Sequence, residues 1–187
     1  MRYALEMHPE SLCAEIFGIA ASAVRQTANR LSLRYVVNGV ISYVQFPPPA
    51  APGRADELWR HTCFEVFLQV PGSAAYWEFN FSPSGQWAAY QFTGYRAGMR
   101  PFEPVVAPTI EMQTERERFA MRVTLDLTTL GLPPNGVWRA GLSAIIEGSG
   151  EGQGPHTSWW ALAHPPGKPD FHHACNFALD LPAAEQT

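Results

Sequence analysis

The sequence predicts an all-β fold, a two-sheet antiparallel β-sandwich of jelly-roll type with about nine to ten strands. Three observations carry this expectation. Seventeen prolines and fifteen glycines are scattered along 187 residues, and both residue types interrupt helices too often for long ones to survive between them. The runs between these breaks alternate apolar and polar side chains with a period of two, as strands with one buried face do. Short turn signals, PGSA and SPSG among them, then join consecutive runs at hairpin spacing.

Taken in chain order, AASAVRQ and NRLSLRYVV flank Thr27 and Ala28 as two strands. Residues 47–57 (PPPAAPGRADE) are too rich in proline for sheet and read as an ordered extended loop crossing the sandwich. From Cys63, CFEVFLQV places Phe64, Val66, Leu68 and Val70 on one face and Cys63, Glu65, Phe67 and Gln69 on the other. YWEFNF repeats the pattern, with Trp77, Phe79 and Phe81 opposite Tyr76, Glu78 and Asn80, and WAAYQF completes a three-strand meander. RFAMRVTLDL sets Phe119, Met121, Val123, Leu125 and Leu127 against a polar face. TTLGLPPNG reads as a brief helical turn or loop, and WRAGLSAIIEG as a strand with Arg139, Gly141, Ser143 and Ile145 on one side. Residues 148–156 (GSGEGQGPH) form a glycine-rich loop that delivers the chain to TSWWAL. In an extended segment Thr157, Trp159 and Ala161 share one side and Ser158, Trp160 and Leu162 the other, so only one tryptophan of the pair is a surface platform. The Leu162 side is the better candidate for the core, which makes Trp159 the exposed member. Trp77, Trp87 and Trp138 lie within strands and are expected in the core.

Composition bounds the function. At 187 residues, 46% hydrophobic and 16% charged, the chain is expected to form one domain, 1–187. A net charge of -4 lacks the basic footprint of a nucleic-acid partner. The N-terminus carries Glu6, His8, Glu10 and Glu15 where a secretory signal needs an unbroken apolar core, and the longest apolar run, IFGIAASAV, is about half a membrane span. A cytoplasmic protein without membrane or nucleic-acid partners is expected. Its oligomeric state is left open, since an exposed sheet edge could pair with a second copy or be covered by the proline loop. Cys13, Cys63 and Cys175 form no C-x-x-C pair, so reduced, mostly buried thiols and no metal are expected.

Glu65 and the pair Glu78 and Asn80 fall on the polar faces of consecutive strands, where an antiparallel meander aligns them on one surface. Trp59 and Trp159 are the candidate walls of this patch, and Ser143 and His156 the candidate polar neighbours. Such a place suits a saccharide, whose apolar ring face lies on an aromatic while its hydroxyls pair with carboxylates and amides. The bland alternative for Glu65 is a cross-strand pair with Arg122 or Arg139.

The segments ELWRHTCFEVFL, YWEFNFSPSGQWAAYQFTGYR and TSWWALAHPPGKPDFHHACNFALDL together resemble the DOMON-like superfamily, in particular its small bacterial single-domain members labelled MurB-like. More distantly they resemble family 9 carbohydrate-binding modules. The resemblance implies a sandwich that binds a sugar or haem at one face without catalysis. It also implies that Trp59 and Trp159 clamp a sugar ring while Glu65, Glu78 and Asn80 hold hydroxyls, although relatives more often carry a basic residue where Glu78 stands. Haem is the competing cofactor, but Met99 and Met112 lie outside the matched segments and no C-x-x-C-H is present. Zinc would need His61 with Cys63, or His172, His173 and Cys175, and neither set has an established ligand spacing. An enzyme would use Glu65 and Glu78, with His156 or His164 as base, but no catalytic motif accompanies them. A structural module whose aromatics only pack is the remaining alternative.

Overall fold

The computed structural model describes residues 1–104, 106–150 and 154–184. Its strands are β1 (Tyr3–Met7), β2 (Ile16–Thr27), β3 (Arg30–Gly39), β4 (Gly53–Arg54), β5 (Cys63–Gln69), β6 (Tyr76–Phe81), β7 (Gln86–Phe92), β8 (Arg100–Pro101), β9 (Thr109–Thr114), β10 (Arg118–Asp126), β11 (Trp138–Gly148), β12 (His156–Ala161) and β13 (Leu179–Leu181). Helix among the described residues is confined to 3-10 turns of three residues each. The all-β expectation holds, and no helix among these residues is long and apolar enough to cross a membrane.

The sheet arrangement differs from the one expected. Eleven of the thirteen described strands follow a single hydrogen-bonded path, β4-β7-β6-β5-β11-β12-β1-β2-β3-β10-β9, with β13 beside β11 and β8 beside β7 off it. Two separate sheets are not formed because β1 divides its length between both halves. Tyr3 to Leu5 pair with β2, whereas Glu6 and Met7 pair with β12. Nor is the sheet wholly antiparallel, since Gly53 and Arg54 lie parallel to Gln86 and Trp87. A long crossing loop, unlike a hairpin, can bring a strand in from either direction, and the proline segment does so here.

Curling brings the two halves face to face over one core. Leu31, Leu33, Tyr35 and Val37 of β3 and Phe119, Met121, Val123 and Leu125 of β10 join Phe64, Val66 and Leu68 of β5 and Phe79 and Phe81 of β6. For β5, β6 and β10 these are the residues that the period of two assigned inward. Phe64 stacks on Phe119 at 5.7 Å between ring centroids, and each such fully buried side chain is worth about 1.5–3 kcal/mol. The Tyr35 hydroxyl crosses the layers and donates to the Glu65 carbonyl at 2.6 Å, which satisfies a buried polar group and fixes β3 against β5.

The opposite face of β5 to β7 is not solvent-facing either. Phe67, Tyr76, Tyr90 and Phe92 form a second cluster there with Ile145, Phe171 and Phe177, beneath the turn at residues 93–99 and the connection between β12 and β13. The segment HHAC enters a 3-10 turn, Ala174–Asn176, capped by His173. Among the cysteines only Cys63 is fully buried, while Cys13 and Cys175 are half-buried, and all three are free.

Candidate functional site

The site lies on this second face. In the β5–β6 register Glu65 is opposite Asn80, and Phe67 opposite Glu78, so both carboxylates point to the same side, as the alternation requires. They line a cavity of about 370 Å³ together with Trp59, Trp159, Arg96 and His172. Asn80 and Ser143 are fully buried beneath it. Asn80 donates from Nδ2 to Glu78 Oε1 at 2.7 Å, and Ser143 Oγ donates to Glu65 Oε2 at 3.2 Å. These two residues hold the carboxylates rather than face the cavity.

Each wall is positioned by its own local structure. Glu57 adopts a left-handed conformation with φ of 61° at the start of the 3-10 turn Leu58–Arg60, which carries Trp59. The Trp59 ring meets Tyr90 edge-on at 5.9 Å. Tyr90 in turn donates to Asp56 at 2.7 Å, and Arg54 pairs with Asp56 at 2.8 Å. The proline segment is thereby tied to β7. On the other side Trp159 lies opposite Ile145 of β11. Its backbone N–H donates to Ser11 Oγ at 3.1 Å, and its carbonyl accepts from the His8 N–H at 2.8 Å. Trp160 is 5% exposed and belongs to the main core, as the parity of the segment predicts.

His156 is a correction. It is three residues from Trp159 and therefore on the other face of β12, where its Nε2 meets Glu15 Oε1 at 2.5 Å. His164 also lies away from the cavity and contacts the Glu6 carbonyl at 2.9 Å. Neither Arg122 nor Arg139 neutralises Glu65. Arg122 is paired across the sheet with Arg34 and Glu111, and Arg139 donates to the Phe177 carbonyl and meets Asp180. The suggested zinc sets do not assemble, since exposed His61 bonds Glu147 while His172 faces the cavity and His173 caps a turn.

Arg96 and His172 are the site residues that the sequence did not disclose. Arg96 stands at the tip of the β7–β8 hairpin with φ of 50° and pairs with Asp170 through Nη2 at 2.7 Å and Nε at 3.2 Å. Tyr76 accepts from the Arg96 backbone N–H at 3.2 Å and meets His172 Nδ1 at 2.8 Å. Donation from the tyrosine to Nδ1 leaves the imidazole proton on Nε2, 3.7 Å from Glu78 Oε2.

Burial dominates the electrostatics. It raises Glu65 well above the ordinary carboxylate range, and the neighbouring Glu78 charge adds to the shift. Burial likewise raises Glu78 to about 7, against the opposing effects of Asn80 and Arg96. His172 is lowered to about 4, by burial first and then by the Arg96 charge. The contact between His172 and Glu78 is thus not a fixed ion pair: near pH 7 the histidine is neutral, and the carboxyl holds its proton more tightly than an ordinary carboxylate does. The cavity offers hydrogen-bond acceptors and donors above an aromatic floor, with Arg96 as the cation at its rim.

No family model and no curated protein matches the chain. Solved structures do. A proposed carbohydrate-binding protein from Bacteroides uniformis ATCC 8492 superposes with a TM-score of 0.68 at 14% identity, covering 98% of this chain and 86% of that one. A family 9 carbohydrate-binding module from Caldicellulosiruptor kristjanssonii in complex with glucose matches with a TM-score of 0.52 at 8% identity, over 98% and 86% of the two chains. The same module type from that organism in complex with cellotriose gives 0.53 at 8% identity, over 98% and 83%. At these identities the likeness establishes a shared fold.

Proposed function

We propose that this chain is a non-catalytic, DOMON-like binding module for a short saccharide or cell-wall sugar derivative, seated between Trp59 and Trp159. The observation that carries the reading is the convergence of two half-buried indoles and two buried carboxylates on one cavity of about 370 Å³. That volume is near the lower end of the roughly 300–1,000 Å³ typical of small-ligand sites. Indole faces take the C–H faces of a pyranose, while Glu65, Glu78 and Arg96 supply acceptors and donors for its hydroxyls. The sugar complexes of the similar modules support this reading. A one-domain chain working in the cytoplasm is part of the same proposal.

Tryptophan fluorescence titrated with a panel of mono- and disaccharides tests it. A saturable response is expected for at least one sugar, with a dissociation constant on the order of micromolar to millimolar, lost in Trp159→Ala and weakened about tenfold or more in Glu65→Gln. Silence toward every sugar would reject the saccharide. A Soret band after haem loading would then favour the haem alternative, and its absence a purely structural module.

A further inference from the structure

A second cluster of chemistry-bearing side chains lies on the far side of β12. We propose that Cys13, Glu15 and His156 form a zinc(II) site, with the thiolate, a carboxylate oxygen and imidazole Nε2 as protein ligands and water in the fourth position. The Cys13 Sγ, Glu15 carboxylate and His156 ring-nitrogen ligand atoms all lie within 4.8 Å of one another. The residues come from distant parts of the chain, the β1–β2 connection and the start of β12. Nothing in their spacing announces them.

Three features indicate a built site. The Glu15 side chain is 2% exposed, and its Oε2 has no hydrogen-bond partner, a costly arrangement for a buried carboxylate unless a cation completes it. The His156 Nδ1 meets the Gly154 carbonyl at 3.0 Å. That contact fixes the N–H on Nδ1 and aims the Nε2 lone pair at the cluster, as outer partners of metal-bound histidines do. Gly148, paired with His156 across β11 and β12, supplies bare backbone for the carboxylate to rest on. A Cβ at that position would fall 2.0 Å from Glu15 Oε1 and 3.0 Å from His156 Nε2.

The donor set selects the metal. One sulfur, one imidazole nitrogen and one carboxylate oxygen suit a borderline ion such as zinc, whereas magnesium and calcium take oxygen alone. On binding, the cation replaces the direct 2.5 Å contact between His156 Nε2 and Glu15 Oε1. Zinc bonds of about 2.0–2.3 Å place tetrahedral donors about 3.3–3.7 Å apart, so that contact opens while wider separations close. The Cys13 thiol, raised chiefly by burial, gives up its proton to solvent as the metal binds. Cys13 is half-buried and the His156 side chain 15% exposed, which leaves a route for the ion and its water.

Cobalt(II) added to full-length, tag-free, chelator-treated protein provides the test. Stoichiometric uptake is expected, with a thiolate-to-cobalt charge-transfer band and the intense visible bands of four-coordinate cobalt, bleached when zinc displaces it. Zinc should also raise the melting temperature. Cys13→Ser should lose the charge-transfer band and Gly148→Ala weaken binding about 10- to 100-fold, with unchanged far-ultraviolet circular dichroism. Cys175→Ser should bind as the native chain does. No stoichiometric cobalt–thiolate band, a band that survives Cys13→Ser, or one lost with Cys175→Ser would overturn the site. Should Cys13→Ser fail to fold, His156→Gln carries the same test through cobalt affinity and the zinc-induced melting shift.

Discussion

Glu78 and His172 face each other at 3.7 Å with shifts that act oppositely on stability. The Glu78 carboxyl is raised from 4.5 to about 7, so the folded chain keeps a proton that the unfolded chain releases. Its stabilising contribution is complete below pH 4.5 and is lost as pH rises through 7. His172 is lowered from 6.5 to about 4, so the unfolded chain binds a proton that the folded chain refuses, and stability grows as pH rises from 4 to 6.5. Each spans roughly 2.5 pH units, about 3 kcal/mol. The raised Glu65 adds a decline of the same sign as Glu78, and Arg96, Asp170 and Tyr76 stand around the pair. Urea unfolding between pH 4.5 and 6.5 should therefore show a steeper fall with pH for His172→Gln than for the native protein, and a shallower one for Glu78→Gln. Equal slopes in all three proteins would show that the two groups titrate normally. The carboxylates of this site were legible because strand parity places them. Arg96 and His172 were not, since they stand on a hairpin tip and an irregular loop, whose directions no periodicity encodes.

At the scale of one strand, β12 sorts its neighbours by parity: Trp159 toward the cavity, Ser158 and Trp160 toward the main core. Trp160 also donates from Nε1 to Ser158 Oγ at 2.9 Å, so its removal leaves a void and leaves the Ser158 hydroxyl with only its long bond to the Ile146 carbonyl. Trp160→Ala should cost about 3–5 kcal/mol and Trp159→Ala only about 1 kcal/mol, as read from urea midpoints. Comparable losses would mean that Trp159 serves packing first. The same parity, applied three residues upstream, would have excluded His156 from the cavity face. The meander β5–β6–β7 was legible throughout because its apolar and polar sets alternate without a break. β1 and β9 were not, since YALEM buries only Leu5 and TIEMQT is almost wholly exposed, which leaves no contrast to read. The parallel β4 escaped notice because two residues in a proline-rich segment carry no pattern.

For the whole molecule the decisive element is β1, whose five residues splice the two halves into one path. Leu5, 5% exposed and in the shared core, should make the halves unfold together. Tryptophan fluorescence and far-ultraviolet circular dichroism should trace one coincident transition, and Leu5→Ala should shift both by the same amount, about 2–5 kcal/mol. Separated transitions would show two independent halves. The curled path also leaves two ends of unlike character. On one, β4 and β8 share the outer rim of β7 with two residues apiece, amid prolines that cannot extend a ladder. On the other, β9 offers six residues that pair only with β10. Among the described strands with a single partner β9 is the longest, so a newcomer strand in crowded solution finds its longest template at Thr109–Thr114. Glu111 stands within that strand and Glu115 just beyond it, so a second copy pairing edge to edge meets carboxylate against carboxylate. Replacing both with neutral residues would make this rim the place where concentrated protein first begins to stick.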